Sequence, residues 1–159
     1  MFGLFRTAKT TPRLECLHQL SLFVNLTPGE LQIVDDLLHE RRLMKDEVIF
    51  DEGEEGQAIY IIIQGQVVIC RQGEQEHGRI ATLEAGTFFG DLALLDNSPR
   101  SAQARAATDA TLAVFFRADF MSLLETHALI ASKISLQLAR HLGLRLREAN
   151  QGAQSGQHL

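Results

Sequence analysis

Gly86-Thr-Phe-Phe-Gly90-Asp-Leu-Ala-Leu-Leu95-Asp-Asn-Ser-Pro-Arg100-Ser-Ala102 is the stretch on which the reading of this chain turns. It lies between two apolar, strand-like runs where a tight turn would have sufficed, and it is long enough to hold a short helix. Gly90 lets the backbone turn sharply, and Asp91 to Leu95 can make about one helical turn. The N–H groups at such a helix start, near Leu92 and Ala93, form an anion site, and the small Ala93 side chain lets a phosphate approach the backbone. Arg100 follows Pro99, which stiffens its approach, and a guanidinium clamps phosphate through paired hydrogen bonds. Ser101 adds a hydroxyl donor. Asp91 supplies an acceptor-only carboxylate. Because that carboxylate would repel an anion, it must face a sugar hydroxyl, and the whole describes a ribose phosphate. Plainer roles stand beside these: Asp91 as a helix cap, Ser101 satisfying local backbone, Arg100 as a solvated surface residue, and Phe88 and Phe89 as core.

Outward from this stretch, short apolar runs alternate with turns at Gly53, Gly56, Gly65, Gly73, Gly78 and Gly86. Residues 48–50, 58–63, 67–70, 79–83 and 112–116 read as strands, and Gln64-Gly65-Gln66 as a hairpin corner. Strands do not alternate with helices, which argues against a parallel nucleotide-binding sheet. The pattern is that of a barrel or double-sheet roll. Helices flank it. Arg13 to Leu20 has helix-spaced leucines, and Thr27-Pro28-Gly29-Glu30 is a capping box that starts a second helix. Asp119 to Glu125 and Ala128 to Ala149 follow. Ile130, Ile134, Leu138, Leu142 and Leu146 form one stripe of the last helix, whereas Leu129, Leu136 and Gly143 lie elsewhere on it, which suggests a second contact. The fold class is therefore α+β. Residues 1–12 are expected to be a flexible lead-in, 13–149 a single domain, and 150–159 a disordered tail.

Phe89-Gly90-Asp91-Leu92-Ala93-Leu94 followed by Arg100-Ser101-Ala102 resembles the phosphate-binding cassette of the cyclic-nucleotide-binding domain family. The resemblance extends over roughly residues 14 to 148. It takes in Leu22-Phe23, Leu26-Thr27-Pro28, Val48-Ile49-Phe50 with Gly53, Tyr60-Ile61-Ile62, Gly65, and Phe120 to Leu124. It implies an eight-stranded, jelly-roll-like β-roll with N-terminal helices and a long C-terminal helix; the helix-turn-helix that follows this helix in transcription-factor members of the family is not expected here. By this likeness Gly90, Asp91, Leu92, Ala93, Arg100, Ser101 and Ala102 bind the ligand. Arg100, Ser101 and the Leu92 and Ala93 backbone hold the cyclic phosphate, and Asp91 takes the ribose 2′-hydroxyl. Leu142, Arg145 and Leu146 are candidates for a lid over the base. The family usually has glutamate at position 91. The shorter aspartate either weakens a hydrogen bond worth about 1.5–3 kcal/mol or is accommodated by a shift of the short helix. In the family a threonine at position 101 favours cGMP; the serine here leaves both nucleotides open, with cAMP expected.

Composition narrows the remaining classes. A net charge of -5 argues against nucleic acid as a partner. Cys16 and Cys70 have no disulfide or metal spacing, as expected of a reducing cytosol. No run is long enough to span a membrane, and the start Met1 to Arg6 is too short and too soon charged for a signal peptide. A cytoplasmic protein is therefore expected. The histidines are scattered, the acidic run Asp51 to Glu55 reads as a solvated turn, and no nucleophile or metal constellation appears. No enzyme, cofactor or metal is expected. Two functions remain: a cyclic-nucleotide sensor that repositions its C-terminal helix toward a partner protein or a second copy, and a ligand-independent interaction or dimerisation module. In the first, output passes through that helix because the chain leaves no room for a DNA-binding unit after it.

Overall fold

The computed structural model describes residues 11–71 and 79–155. Helix α1 (Pro12–Gln19) begins at Thr11, whose hydroxyl accepts from the Leu14 amide at 3.2 Å. A short 3-10 turn, Ser21–Phe23, leads to α2 (Pro28–Leu37). Its capping box is complete: the Thr27 hydroxyl accepts from Glu30 N–H at 3.2 Å, and the Glu30 carboxylate accepts from Thr27 N–H at 2.9 Å.

Eight strands follow among the described residues: β1 (His39–Leu43), β2 (Val48–Phe50), β3 (Ala58–Gln64), β4 (Val67–Cys70), β5 (Arg79–Leu83), β6 (Phe88–Phe89), β7 (Gln103–Ala106) and β8 (Ala110–Phe116). They pair antiparallel into two four-stranded sheets, ordered β1-β8-β3-β6 and β2-β7-β4-β5. The β-roll with flanking helices is thus present. Helices α3 (Arg117–Thr126) and α4 (Ala128–Ser155) close the chain.

Two cores explain why β3 and β8 are apolar on both faces. Ile62, Leu112, Val67, Phe50 and Phe89 fill the space between the sheets. Ile59, Ile61, Ala113 and Phe115 face the other way, onto Phe23, Val34, Phe120, Leu123, Ile130 and Ile134 of the helical layer. A strand buried on both sides reads as a continuous apolar run instead of an alternating one. Each fully buried leucine, isoleucine or phenylalanine contributes about 1.5–3 kcal/mol.

Several boundaries differ from expectation: β8 begins at Ala110 and not at Leu112, and α3 runs from Arg117 to Thr126 and not from Asp119 to Glu125. Thr11 and Pro12 belong to the start of α1 and not to a lead-in; the remainder of that segment lies outside the described residues. At the other end α4 continues past Ala149 to Ser155. Once a helix is nucleated, each added residue brings another hydrogen bond, and Gly152 costs only about 1 kcal/mol. Residues 156–159, with His158, lie outside the described residues, as do Gly73, His77 and Gly78.

Candidate functional site

The predicted short helix forms at Asp91–Leu94, as a 3-10 turn headed by Gly90 in the left-handed region with φ of 75°. Glycine suits the position on two counts, the second of which displaces Arg100 instead of forbidding a side chain outright. The backbone conformation disfavours any L side chain, and a Cβ would sit 2.5 Å from Nη1 of Arg100. Gly56, on the loop before β3, makes the facing wall: a Cβ on it would lie 3.2 Å from the Arg100 Cζ.

Arg100 is lodged in the slot between them. Its Nη1 donates to the Gly90 carbonyl at 3.2 Å and its Nη2 to the Ala58 carbonyl at 2.7 Å. Its Cζ lies 4.2 Å from the centre of the Phe50 ring and 5.7 Å from that of Tyr60, within cation–π range. Phe89 stacks on Tyr60 at 5.4 Å, so the guanidinium rests on an aromatic shelf. Burial pushes the Arg100 pKa down, while Tyr60, Glu54 and Asp91 push it up. Guanidinium stays charged under such shifts, and its five N–H donors are not exhausted by two carbonyls. A cavity of about 390 Å³ opens against Arg100 and is bordered by Phe50, Ala58, Tyr60, Glu54 and Glu55.

The acidic turn expected to be merely solvated is tied to this loop. Arg100 N–H donates to the Glu54 carbonyl at 2.7 Å, and Gly53 N–H to the Arg100 carbonyl at 2.8 Å. Glu52, Glu54 and Glu55 nevertheless keep exposed side chains. Among the described residues no cluster of metal-ligating side chains occurs.

Asp91 is buried, with its carboxylate turned toward α4. Nη1 of Arg145 reaches Oδ1 at 3.0 Å and Oδ2 at 2.9 Å. Nε2 of His141 stands 3.6 Å from Oδ2, and the His141 ring packs on Phe88 at 4.7 Å. Of the expected lid residues, Arg145 therefore meets Asp91, Leu142 packs on the helical core, and Leu146 is exposed. Of the two expected amide donors, that of Ala93 already bonds the Gly90 carbonyl at 3.1 Å. Ser101 is exposed beside Arg100, Ala102 is buried, and the Leu92 side chain is exposed.

One arginine escaped the sequence reading. Arg117, the first residue of α3, donates through Nη1 to the carbonyls of Asp96 (2.6 Å), Gly56 (2.8 Å) and Ala93 (3.3 Å). Nothing in the local sequence announces this, because its acceptors are backbone groups brought together by the fold.

Comparison with known proteins bears directly on this arrangement. The family model of the cyclic nucleotide-binding domain matches residues 40–127, which include both the Gly90 turn and Arg100. The chain belongs to that family. It is 37% identical over 131 residues to the cyclic AMP receptor protein of Thermus thermophilus, a match covering 81% of this chain and 58% of that protein. It is 31% identical over 108 residues to a cAMP-dependent protein kinase regulatory subunit of Hypocrea atroviridis, covering 68% of this chain and 22% of that one. The crystal structure of the Thermus thermophilus catabolite activator protein superposes with a TM-score of 0.74 at 32% identity, covering 84% of this chain and 62% of that one. The chain thus spans less than two thirds of the length of each of these family relatives. No helix among its described residues is long and apolar enough to cross a membrane.

Proposed function

We propose that the chain is a regulatory sensor that binds a cyclic nucleotide, cAMP in preference to cGMP, and has no catalysis of its own. One observation carries the reading: a single guanidinium, Arg100, is fixed on an aromatic shelf beside the Gly90 turn of a cyclic nucleotide-binding fold. The phosphate would meet Arg100 with Ser101, Gly90, Ala102 and the Leu92–Ala93 backbone around it, and Asp91 would read the sugar hydroxyl. The cAMP preference rests on the relatives, a cyclic AMP receptor protein and cAMP-dependent kinase regulatory subunits.

Output runs through α4 in this reading. The same carboxylate that would meet the sugar is held by Arg145, so ligand and α4 act on one group and ligand shifts the position of the helix. Leu129 and Leu136 on the opposite face are 66% and 50% exposed. They form the surface on which a second copy of the chain would pack.

A second reading, a ligand-independent interaction module, draws on a specific observation. Arg100, Asp91 and the Ala93 amide are all partnered by the chain's own groups. Titration of ligand-stripped protein with cAMP and cGMP separates the two. Binding that Arg100→Leu abolishes supports the sensor, and no binding to folded protein supports the module.

A further inference from the structure

We propose that Arg117 is the positioning residue that fastens the cassette turn to the helical layer, so that occupancy beside Arg100 is transmitted to α3 and α4. The inference rests on the nucleotide reading above and deepens it.

Arg117 stands where strand becomes helix. Its backbone N–H donates to the Gln57 carbonyl at 2.8 Å, anchoring the start of α3 to the loop before β3. Its side chain folds back over that loop and is only 24% exposed. One guanidinium nitrogen then gathers three carbonyls from three places: Gly56 before β3, Ala93 inside the cassette turn, and Asp96 just beyond it. Ala93 and Asp96 lie at the carboxyl end of the short turn, where backbone carbonyls favour a cation. Nη2 stands a further 3.9 Å from Glu55.

Gly56 makes this more than a local staple. Its Cα hydrogen position faces Arg100 and Ala93 at the same time, since an added Cβ would lie 3.2 Å from the Arg100 Cζ and 3.1 Å from the Ala93 Cβ. The carbonyl that Arg117 holds therefore belongs to the residue pressed against the phosphate-reading arginine. A shift of Arg100 onto an arriving phosphate moves Gly56 and the turn together, and Arg117 carries that movement to α3. From there the path is packed side chains. Phe120 and Leu123 of α3 share one buried cluster with Ile130, Ala131 and Ile134 of α4, and such a core shifts as a body instead of compressing. Leu94 of the turn joins that cluster too, giving an apolar contact in parallel with no directional hold on the turn.

The test is amide hydrogen exchange of the whole chain with and without cAMP, in the parent protein and in Arg117→Met, at concentrations that protect cassette amides 90–96. In the parent, cAMP changes exchange in α4 by at least about fivefold, the lower end of ordinary coupling. In Arg117→Met the cassette is still protected, but the change over residues 128–138 of α4, the turns packed on α3 and away from the direct Asp91–Arg145 contact, falls below about twofold, on the same scale. A merely structural role would lower stability and leave the α4 response intact, and that result overturns the proposal. So does a variant whose cassette no concentration of cAMP protects, because Arg117 then shapes the site instead of transmitting from it. If Arg117→Met does not fold, Arg117→Lys is read in its place: it keeps the charge, loses the planar fork, and is expected to show a reduced α4 response. An undiminished response there overturns the proposal. Absence of cassette protection in the parent defeats the nucleotide reading itself, and this inference with it.

Discussion

Arg100 and Asp91 bear opposite charges nine residues apart, and each is stabilised by a different layer of the molecule. Arg100 leans on strands, through Phe50, Tyr60 and the Ala58 carbonyl. Asp91 leans on α4, through Arg145. Gly90→Ala would force a left-handed alanine, at about 1–2 kcal/mol, and drive its Cβ into Arg100; reduced stability together with weakened cAMP binding is the expected result, by urea unfolding and calorimetry. Arg145→Met strips a buried carboxylate of its cation. Complete burial of such a pair would make the loss about 3–5 kcal/mol. Arg145 is 59% exposed, so about 1–2 kcal/mol is expected, between buried and surface pairs. In a double-mutant cycle Asp91→Asn should remove most of that penalty. The candidate site could be picked out beforehand because the Gly90 turn, Asp91 and Arg100 fall within one stretch, residues 90–100, of chemically specific residues. The Arg145–Asp91 pair and the Arg117 fan could not, because their partners are 54 and more than 20 residues away and no local spacing encodes them.

Elements were readable where local chemistry and burial agree. The capping box of α2 is an example, and Thr27→Ala is expected to cost about 1 kcal/mol, measured by urea denaturation. β3 and β8 were readable because both faces are buried. β1, β6 and β7 were not. His39–Leu43 is a largely exposed strand with only Leu43 buried, and Gln103–Ala106 turns small alanines into the roll. Neither has the β-branched or aromatic signature of a strand; pairing with β8, β2 and β4 decides their conformation over propensity. α2 and α4 are also joined by charge, with Nζ of Lys133 2.7 Å from Glu30 Oε1. That bond, followed by the Thr27 amide, holds the Glu30 carboxyl below its ordinary value of 4.5. A depressed carboxyl contributes stability above its unfolded value and loses it as pH falls through the folded one. Stability should therefore decline below about pH 4.5, and Glu30→Gln should flatten that decline in urea midpoints taken across pH 3 to 6.

At the scale of the molecule, one sheet is shared by two cores, and α4 lies across the second of them. Its first turns are locked by Ile130, Ile134 and Leu138, all buried. Beyond Leu142 none of its described side chains is buried, and the Arg145–Asp91 pair ties that part of the helix to the cassette. The exposed Leu129 and Leu136 lead to a further expectation: light scattering should report a dimer, and Leu136→Lys should return a monomer with an unchanged circular dichroism spectrum. The roll and its helical layer were visible as an α+β pattern, and the cassette resemblance supplied the topology. The extent of α4 was not visible, because its polar final turns carry no periodic apolar signal, while helix propagation favours their continuation.

The central claim is that Arg100 holds the phosphate of a cyclic nucleotide. Its most direct test is calorimetric titration of cAMP into protein stripped of ligand by unfolding and refolding, with Arg100→Leu in parallel. The account predicts saturable binding to the parent, stronger for cAMP than for cGMP, and none to a folded Arg100→Leu. Equal binding by parent and variant, or no binding by a folded parent, would contradict it.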